Sequence, residues 1–257
     1  MDVVLGEPEQ NLATARRMVA EAAQRGSDVV VLPELWSTGY DLENAARYAT
    51  PTDAGIFAEA AQLARQNGIA ILGSCLSLLG EDAHKDAKYG NTAVYINSDG
   101  QILGQYSKIH LFQLMDEHLY LTGGEKLTVV ETEWGLGGLS ICYDLRFPEL
   151  FRAYALSGVQ MVFLPSEWPH PRLAHWQTLL RARAIENQMY VIACNRVGNS
   201  KNTDFFGHSC IIDPWGEIVV EAGESEVLLT AEIDLGKVDA ARAKIPIFAD
   251  RRPELYL

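Results

Sequence analysis

The stretch Leu139-Ser140-Ile141-Cys142-Tyr143-Asp144-Leu145-Arg146-Phe147-Pro148-Glu149 decides how this chain is read. Leu136 to Cys142 is apolar, small or β-branched, as in a strand. Polar residues follow, and Pro148 then opens an amphipathic segment. The pattern predicts a strand ending at Cys142, a tight turn, and a helix over Glu149 to Ser157. A side chain on such a turn is lifted off the sheet toward solvent or substrate, as a nucleophile requires. On this segment alone, a catalytic thiol and a buried structural cysteine are both open readings, because free cysteine is among the most buried residue types.

The same design recurs twice. Val29-Val30-Val31-Leu32 is a continuous apolar run, as for a strand buried on both faces, and it leads through Pro33 to Glu34. Proline cannot donate to a sheet ladder, so pairing stops there and Glu34 projects from the strand end. Tyr106-Ser107-Lys108-Ile109-His110-Leu111-Phe112 carries a lysine at a strand end amid apolar residues. Taken singly, Glu34 could be a solvated strand tip and Lys108 a snorkelling surface residue. Together the three groups suit acyl chemistry at a thiol. The thiol needs a base to become a thiolate, and a carboxylate in a partly dry pocket can serve. An ammonium can hold the tetrahedral oxyanion beside a backbone N–H.

Further strands are expected at Ile69 to Cys75, Leu127 to Val130, Gln160 to Leu164, Tyr190 to Asn195, Ser209 to Ile212 and Val227 to Ile233. A hairpin is expected from Thr92 to Ile96 and Gln101 to Tyr106, turning at Asn97-Ser98-Asp99-Gly100. Helical periodicity covers Asn11 to Arg25, Phe57 to Gln66 and Leu173 to Gln188. Buried strands mixed with hairpins and amphipathic helices imply an α/β chain with two packed mixed sheets and helices outside, a four-layer α-β-β-α sandwich.

The ordered motifs resemble the nitrilase (carbon–nitrogen hydrolase) superfamily, whose Glu-Lys-Cys triad sits in strand-end segments like Leu32-Pro33-Glu34, Lys108-Ile109-His110-Leu111-Phe112 and Cys142-Tyr143-Asp144-Leu145-Arg146-Phe147-Pro148-Glu149. The likeness continues through Arg181 to Gln188, Gly207-His208-Ser209 and Asp213-Pro214-Trp215-Gly216, nearly the whole chain. It implies a single nitrilase-like domain over residues 1–257, with Cys142 forming a thioester and Glu34 shuttling the proton. Lys108 and the Tyr143 backbone N–H would hold the oxyanion. It also implies a second active-site glutamate that orients substrate and lysine. Glu117 fits this role because it precedes Leu119-Tyr120-Leu121-Thr122-Gly123-Gly124, and Glu125 is the competing candidate. Asp144 and Arg146 read as scaffold that ties the nucleophile turn by a charge-assisted hydrogen bond. Asn187 and Asn195 read as structural.

Within the superfamily, Phe112 to His118 and Ser166 to Arg172 are similar to the ω-amidase-like hydrolases associated with methionine salvage, which act on 2-oxo acid ω-amides such as 2-oxoglutaramate. The carboxylate of such a substrate calls for a cationic pocket. Arg172 could supply the charge, and Tyr40 and Trp168 could wall the pocket, with loop packing as the alternative for each. The competing functions are hydrolysis of an N-carbamoyl amine or another aliphatic amide, and a catalytically inactive binding protein on the same fold.

The bulk numbers bound the remainder. The chain has 257 residues, 48% of them hydrophobic, enough for one large core. No apolar run nears the ~20 residues of a membrane span, and the start lacks the features of a signal peptide. A formal net charge of −13 argues against nucleic acid and anionic membranes as partners. Cys75, Cys142, Cys194 and Cys210 have no metal-type spacing, so no metal site is apparent, chelators should leave activity intact, and a reducing cytoplasm is the simplest compartment; the amidase that the resemblance implies needs neither metal nor organic cofactor. The resemblance further implies a homodimer or larger homo-oligomer, with Glu149 to Ser157 and Leu173 to Gln188 packed across a two-fold axis. It also implies a buried strand ahead of Met1-Asp2-Val3-Val4-Leu5-Gly6, which is missing here. The expectation is therefore a start codon further upstream, with exposed strand edges and a cost of several kcal/mol for the stated chain.

Overall fold

The computed structural model describes residues 1–80 and 88–256. Four strands build the first sheet: β1 (Val29–Val31), β2 (Ala70–Leu79), β3 (Lys88–Ile96) and β4 (Ile102–Ser107), in that spatial order. β1 and β2 are parallel, while β2, β3 and β4 form an antiparallel meander. The second sheet begins with β5 (Val129–Glu131), β6 (Leu136–Leu139), β7 (Met161–Ser166) and β8 (Tyr190–Asn195). A separate hairpin of β9 (Val197–Ser200) and β10 (Thr203–Phe206) follows, then β11 (Cys210–Ile212) and β12 (Ile218–Glu221). The order across this sheet is β12-β11-β8-β7-β6-β5, with β6, β7 and β8 parallel.

The helices lie outside the sheets. α1 (Pro8–Gln24) starts with proline at its first turn, where no N–H is needed, and buries Ala15, Met18, Val19 and Ala22 at helical spacing. After the single-turn α2 (Ala45–Tyr48), α3 (Gly55–Asn67) ends at Gly68, whose φ of +61° suits glycine. α1 and α3 cover the first sheet through Val19, Phe57, Leu63, Ile71 and Val94. The short α4 (Glu117–Tyr120) is followed by α5 (Pro148–Leu156) and α6 (Leu173–Asn187), the crossovers that join β6 to β7 and β7 to β8. α7 (Gly236–Lys244) comes last. Between the sheets Leu72, Tyr95 and Tyr106 meet Leu139 and Phe163 in one buried cluster, with the Tyr95 and Phe163 rings 5.7 Å apart. The layers therefore run helix, sheet, sheet, helix.

Several expectations need correction. The strand read as ending at Cys142 stops at Leu139, and the nucleophile turn is a tight helix over Cys142–Arg146. β7 runs through Pro165 rather than halting at Leu164. Ser140 N–H donates to the Phe163 carbonyl and Arg196 N–H to that of Ser166, so Pro165 faces the side on which β6 has already ended, and no ladder bond is lost. Val227 to Ile233 forms no strand, because no ladder partner lies beside it among the described residues. The β9–β10 hairpin and α7 have no apolar periodicity to announce them; α7 buries Val238 and Ala241.

Met1 and Val3 are buried, Asp2 bridges Val197, and β1 is an edge strand. Beside β1 lies a cleft of about 780 Å³, lined in part by Val29 to Leu32, Met161, Phe163, Ile192 and Val227 to Leu235. Glu34, Lys108 and Cys142 are not part of it. Among the described residues, no helix is long and apolar enough to cross a membrane.

Candidate active site

The ends of β1, β4 and β6 converge. Beyond β1, Leu35 holds a left-handed φ of 43° and its N–H donates to Ser74 Oγ at 2.9 Å, which turns Glu34 inward. Lys108 directly follows β4, with its N–H bound to the Asn91 carbonyl at 2.9 Å. Cys142 follows β6 with φ of 45°, an unfavourable conformation for a residue with a Cβ. Asp144 fixes that turn: its carboxylate accepts from Ile141 N–H at 2.9 Å and from Tyr106 OH at 2.8 Å, and it lies 2.7 Å from His110 Nδ1. The nucleophile turn is thus stapled to the strand that delivers Lys108. Arg146 takes no part in this, contrary to the scaffold role read from its position.

Glu34, Lys108 and Glu117 are all fully buried. Lys108 Nζ donates to Glu34 Oε1 at 2.8 Å and to Glu117 Oε1 at 2.6 Å. The Tyr40 hydroxyl sits 2.9 Å from Glu34 Oε1 and 2.7 Å from Glu117 Oε1, so Tyr40 belongs to the charged cluster rather than to an outer pocket wall. Glu117 Oε2 accepts from Phe112 N–H at 2.6 Å. Glu125 is exposed. Tyr143, Trp168 and Arg172 line one small pocket with Cys142, Phe112 and Arg146. Its free volume is about 10 Å³, near that of a single water, so a substrate has to displace side chains at its mouth.

Burial pushes the Cys142 thiol well above its ordinary range, and the Glu34 carboxylate pushes it further against the opposing pull of Lys108. The resting sulfur is a thiol whose proton faces a carboxylate. Burial alone would lower the Lys108 ammonium, but Glu117 and Glu34 outweigh it and hold the lysine above its ordinary range. Glu117 is raised, by burial first, even beside Lys108, because two carboxylates compete for one ammonium. This set can move a proton between Glu34 and a bound group and hold a developing negative charge. Among the described residues no group of three or more His, Cys, Asp or Glu is arranged to bind a metal.

Three participants were missed from sequence. Asn91 Nδ2 donates to Glu34 Oε1 at 2.8 Å, and Glu167 N–H donates to Glu34 Oε2 at 2.9 Å. The Glu167 side chain is fully buried against Arg196, 2.8 Å away, and Arg196 also reaches the Val3 carbonyl. A signal for Glu167 existed: Leu164-Pro165-Ser166-Glu167 repeats the strand-then-carboxylate design of Leu32-Pro33-Glu34. Asn195, read as structural, ties Trp168 down by accepting its N–H at 2.7 Å and donating to its carbonyl at 3.1 Å.

Burial, opposed by Arg196, pushes the Glu167 carboxyl up to about 8. The folded state then binds a proton that the unfolded state releases between the ordinary glutamate range and about 8, so this group costs stability as pH rises through that window. Glu167→Gln mimics the protonated form. Melting curves should show the variant gaining on the natural chain as pH rises from about 5 to about 9, on top of the pH-independent cost of taking a charge partner from buried Arg196. A difference that does not vary with pH contradicts this.

Residues 1–243 match the carbon–nitrogen hydrolase family. The chain is 41% identical over 255 residues to the 2-oxoglutaramate amidase of Bacillus subtilis, covering 99% of this chain and 96% of that one. The structure of XC1258 from Xanthomonas campestris, a CN-hydrolase superfamily protein with an arsenic adduct in its active site, superposes with a TM-score of 0.89 at 30% identity, covering 98% of this chain and 94% of that one. An amidase from Nesterenkonia sp. AN1, seen with acrylamide added at its active-site cysteine, gives 0.82 at 25% identity, with 96% of each chain covered.

Proposed function

The chain belongs to the carbon–nitrogen hydrolase family and is an amide-cleaving hydrolase, and we propose that it converts a 2-oxo acid ω-amide, such as 2-oxoglutaramate, to the dicarboxylate and ammonia with Cys142 as nucleophile. The observation that carries the assignment of roles is the buried Glu34–Lys108–Glu117 cluster facing the Cys142 thiol. Glu34 takes the thiol proton as Sγ attacks the amide carbon. Lys108 Nζ and the Tyr143 N–H, which lies in the first turn where no intrahelical acceptor exists, bind the oxyanion. Glu34 then returns the proton to the leaving nitrogen, ammonia departs and a thioester remains. Water enters, loses a proton to Glu34 and attacks the thioester. The carboxylate leaves and the thiol is restored by the proton held on Glu34. Glu117 and Tyr40 keep Lys108 charged and aimed, and Tyr143, Trp168 and Arg172 line the substrate pocket.

Identity to the Bacillus subtilis 2-oxoglutaramate amidase across nearly both whole chains supports this substrate. The test is ammonia release from 2-oxoglutaramate against a panel of N-carbamoyl amines, aliphatic amides and nitriles. Preference for the 2-oxo acid amide upholds the reading, and preference for another member keeps the mechanism while discarding the substrate.

The same reading takes residues 1–257 as one domain working in a reducing cytoplasm, consistent with four unpaired cysteines, and as a homodimer built on α5 and α6. The exposed apolar Leu156, Ile185 and Trp215 beside these helices support the dimer. Light scattering should give twice the 28.4 kDa chain mass, and Ile185→Glu should shift it to monomer. A monomeric natural chain would remove this part of the proposal.

A further inference from the structure

Asn91 stands opposite Lys108 where β3 meets β4. Thr92 pairs with Ser107, and Lys108 N–H donates to the Asn91 carbonyl at 2.9 Å, so the antiparallel pattern runs one residue past the end of β4. Opposed residues put their side chains on one face. Here it is the face of Ala93 and Tyr95, which looks toward the second sheet. Asn91 is buried, and its Nδ2 donates at 2.8 Å to Glu34 Oε1, the oxygen that also receives Lys108 Nζ at 2.8 Å. Each carboxylate oxygen offers two lone pairs. Tyr40 lies within reach of Glu34 Oε1, but its single proton has a nearer acceptor in Glu117 Oε1, at 2.7 Å against 2.9 Å. Asn91 and Lys108 therefore fill Glu34 Oε1. Glu34 Oε2 accepts one hydrogen bond among the described residues, from Glu167 N–H at 2.9 Å, and keeps a lone pair free.

We infer that Glu34 takes the Cys142 proton on Oε2, and that Asn91 is the positioning residue that fixes this choice by closing Oε1. This rests on the amidase reading and deepens it, because it assigns the proton transfer to one atom of the base. The S–H bond breaks, its electron pair stays on sulfur, and the proton bonds to Oε2. The terminal torsion of a glutamate is broad and roughly two-fold, so its own rotamers do not decide which oxygen faces the thiol. The donors around it decide. Lys108 cannot hold this aim alone, because it is also drawn to Glu117 at 2.6 Å and has to reach the oxyanion during the reaction. Asn91 sits on β3, between β2 and β4, and has no other task in the cycle.

The experiment compares Asn91→Asp and Asn91→Leu with the natural chain, on 2-oxoglutaramate, with melting curves confirming the fold. Asn91→Asp keeps the shape of the side chain but exchanges the NH2 donor for an oxygen. Burial and Glu34 favour its protonated form in acid, when it can donate to Oε1; once ionised it cannot. Asn91→Leu has no donor at any pH. Glu34, Lys108, Glu117, Tyr40 and Cys142, the titratable groups around Asn91, are common to all three proteins, so the ratio of variant to natural kcat isolates position 91. That ratio should fall at least about tenfold for Asn91→Asp between about pH 5.5 and about pH 9. For Asn91→Leu it should lie about 10- to 100-fold down and stay flat with pH, with KM within about threefold of natural for both. Ratios flat with pH in both variants, or a loss carried by KM, overturn the inference while leaving the amidase intact. If Asn91→Leu does not fold, the slope of Asn91→Asp decides alone. A second readout needs no amide turnover: alkylation of Cys142 by iodoacetamide also waits on loss of the thiol proton, and its rate in Asn91→Asp should show the same pH-dependent ratio. If the natural chain leaves 2-oxoglutaramate intact, the substrate reading fails and alkylation still decides the role of Asn91. An alkylation ratio flat with pH overturns it.

Discussion

Cys142→Ala should abolish amide turnover, with kcat/KM falling about 10⁴-fold or more, because the proposed mechanism gives the acyl group to Cys142. The fold should survive. Alanine keeps the Cβ, so the strained φ of 45° is unchanged, and the Asp144 contacts that hold the turn do not involve the thiol. The melting temperature should therefore move by only a few degrees, corresponding to about 1 kcal/mol. Steady-state assays with circular dichroism read both quantities. Residual activity within about tenfold of the natural chain would remove Cys142 from the chemistry.

Lys108→Met should damage activity and stability together. The substitution preserves length but strips the ammonium from Glu34 and Glu117, which lie 2.8 Å and 2.6 Å from it with no exposure to water. Breaking a buried pair by removing one partner costs about 3–5 kcal/mol. Loss of an oxyanion donor costs about 10²–10³-fold in kcat, and the proton that one stranded carboxylate then takes up adds to it. The lysine is raised above its ordinary 10.5, so its contribution is fully present below that value and lost only at still more alkaline pH. The variant's deficit is thus present throughout the neutral range. It should shrink in acid, where the raised Glu117 carboxyl is protonated and no longer needs a cation. A deficit that grows on acidification would contradict the assigned charges.

What the sequence made legible was whatever repeats a local design. An apolar strand followed by one polar residue marked Glu34, Lys108 and Cys142, and the structure brings all three elements to one place. Glu117 came from a motif, and its separation from Glu125 needed the 2.6 Å contact to Lys108. Tyr40 was noticed for the wrong task, because a hydroxyl that binds two carboxylates from distant segments leaves no local trace. Asn91 acts through a contact 57 residues away in sequence that no single-segment pattern reaches, whereas Glu167 sits in the strand-then-carboxylate segment Leu164-Pro165-Ser166-Glu167, whose likeness to Leu32-Pro33-Glu34 went unread. Arg146 was misread because its neighbour Asp144 offered an obvious salt bridge, whereas the Tyr106 hydroxyl and the N–H groups of His110 and Ile141 already claim that carboxylate. The fold's layers followed from periodicity. Its errors fell where a strand lost its partner, at Val227 to Ile233, or where polar composition hid a hairpin, at Val197–Ser200 and Thr203–Phe206.

The most direct test of the central claim is intact-mass spectrometry of the enzyme, acid-quenched within milliseconds of mixing with 2-oxoglutaramate and followed by peptide mapping. The account predicts a transient mass gain equal to the amide less ammonia, carried by the peptide that contains Cys142 and absent from Cys142→Ala. Turnover with no adduct on that peptide, or with the adduct on another residue, would contradict it.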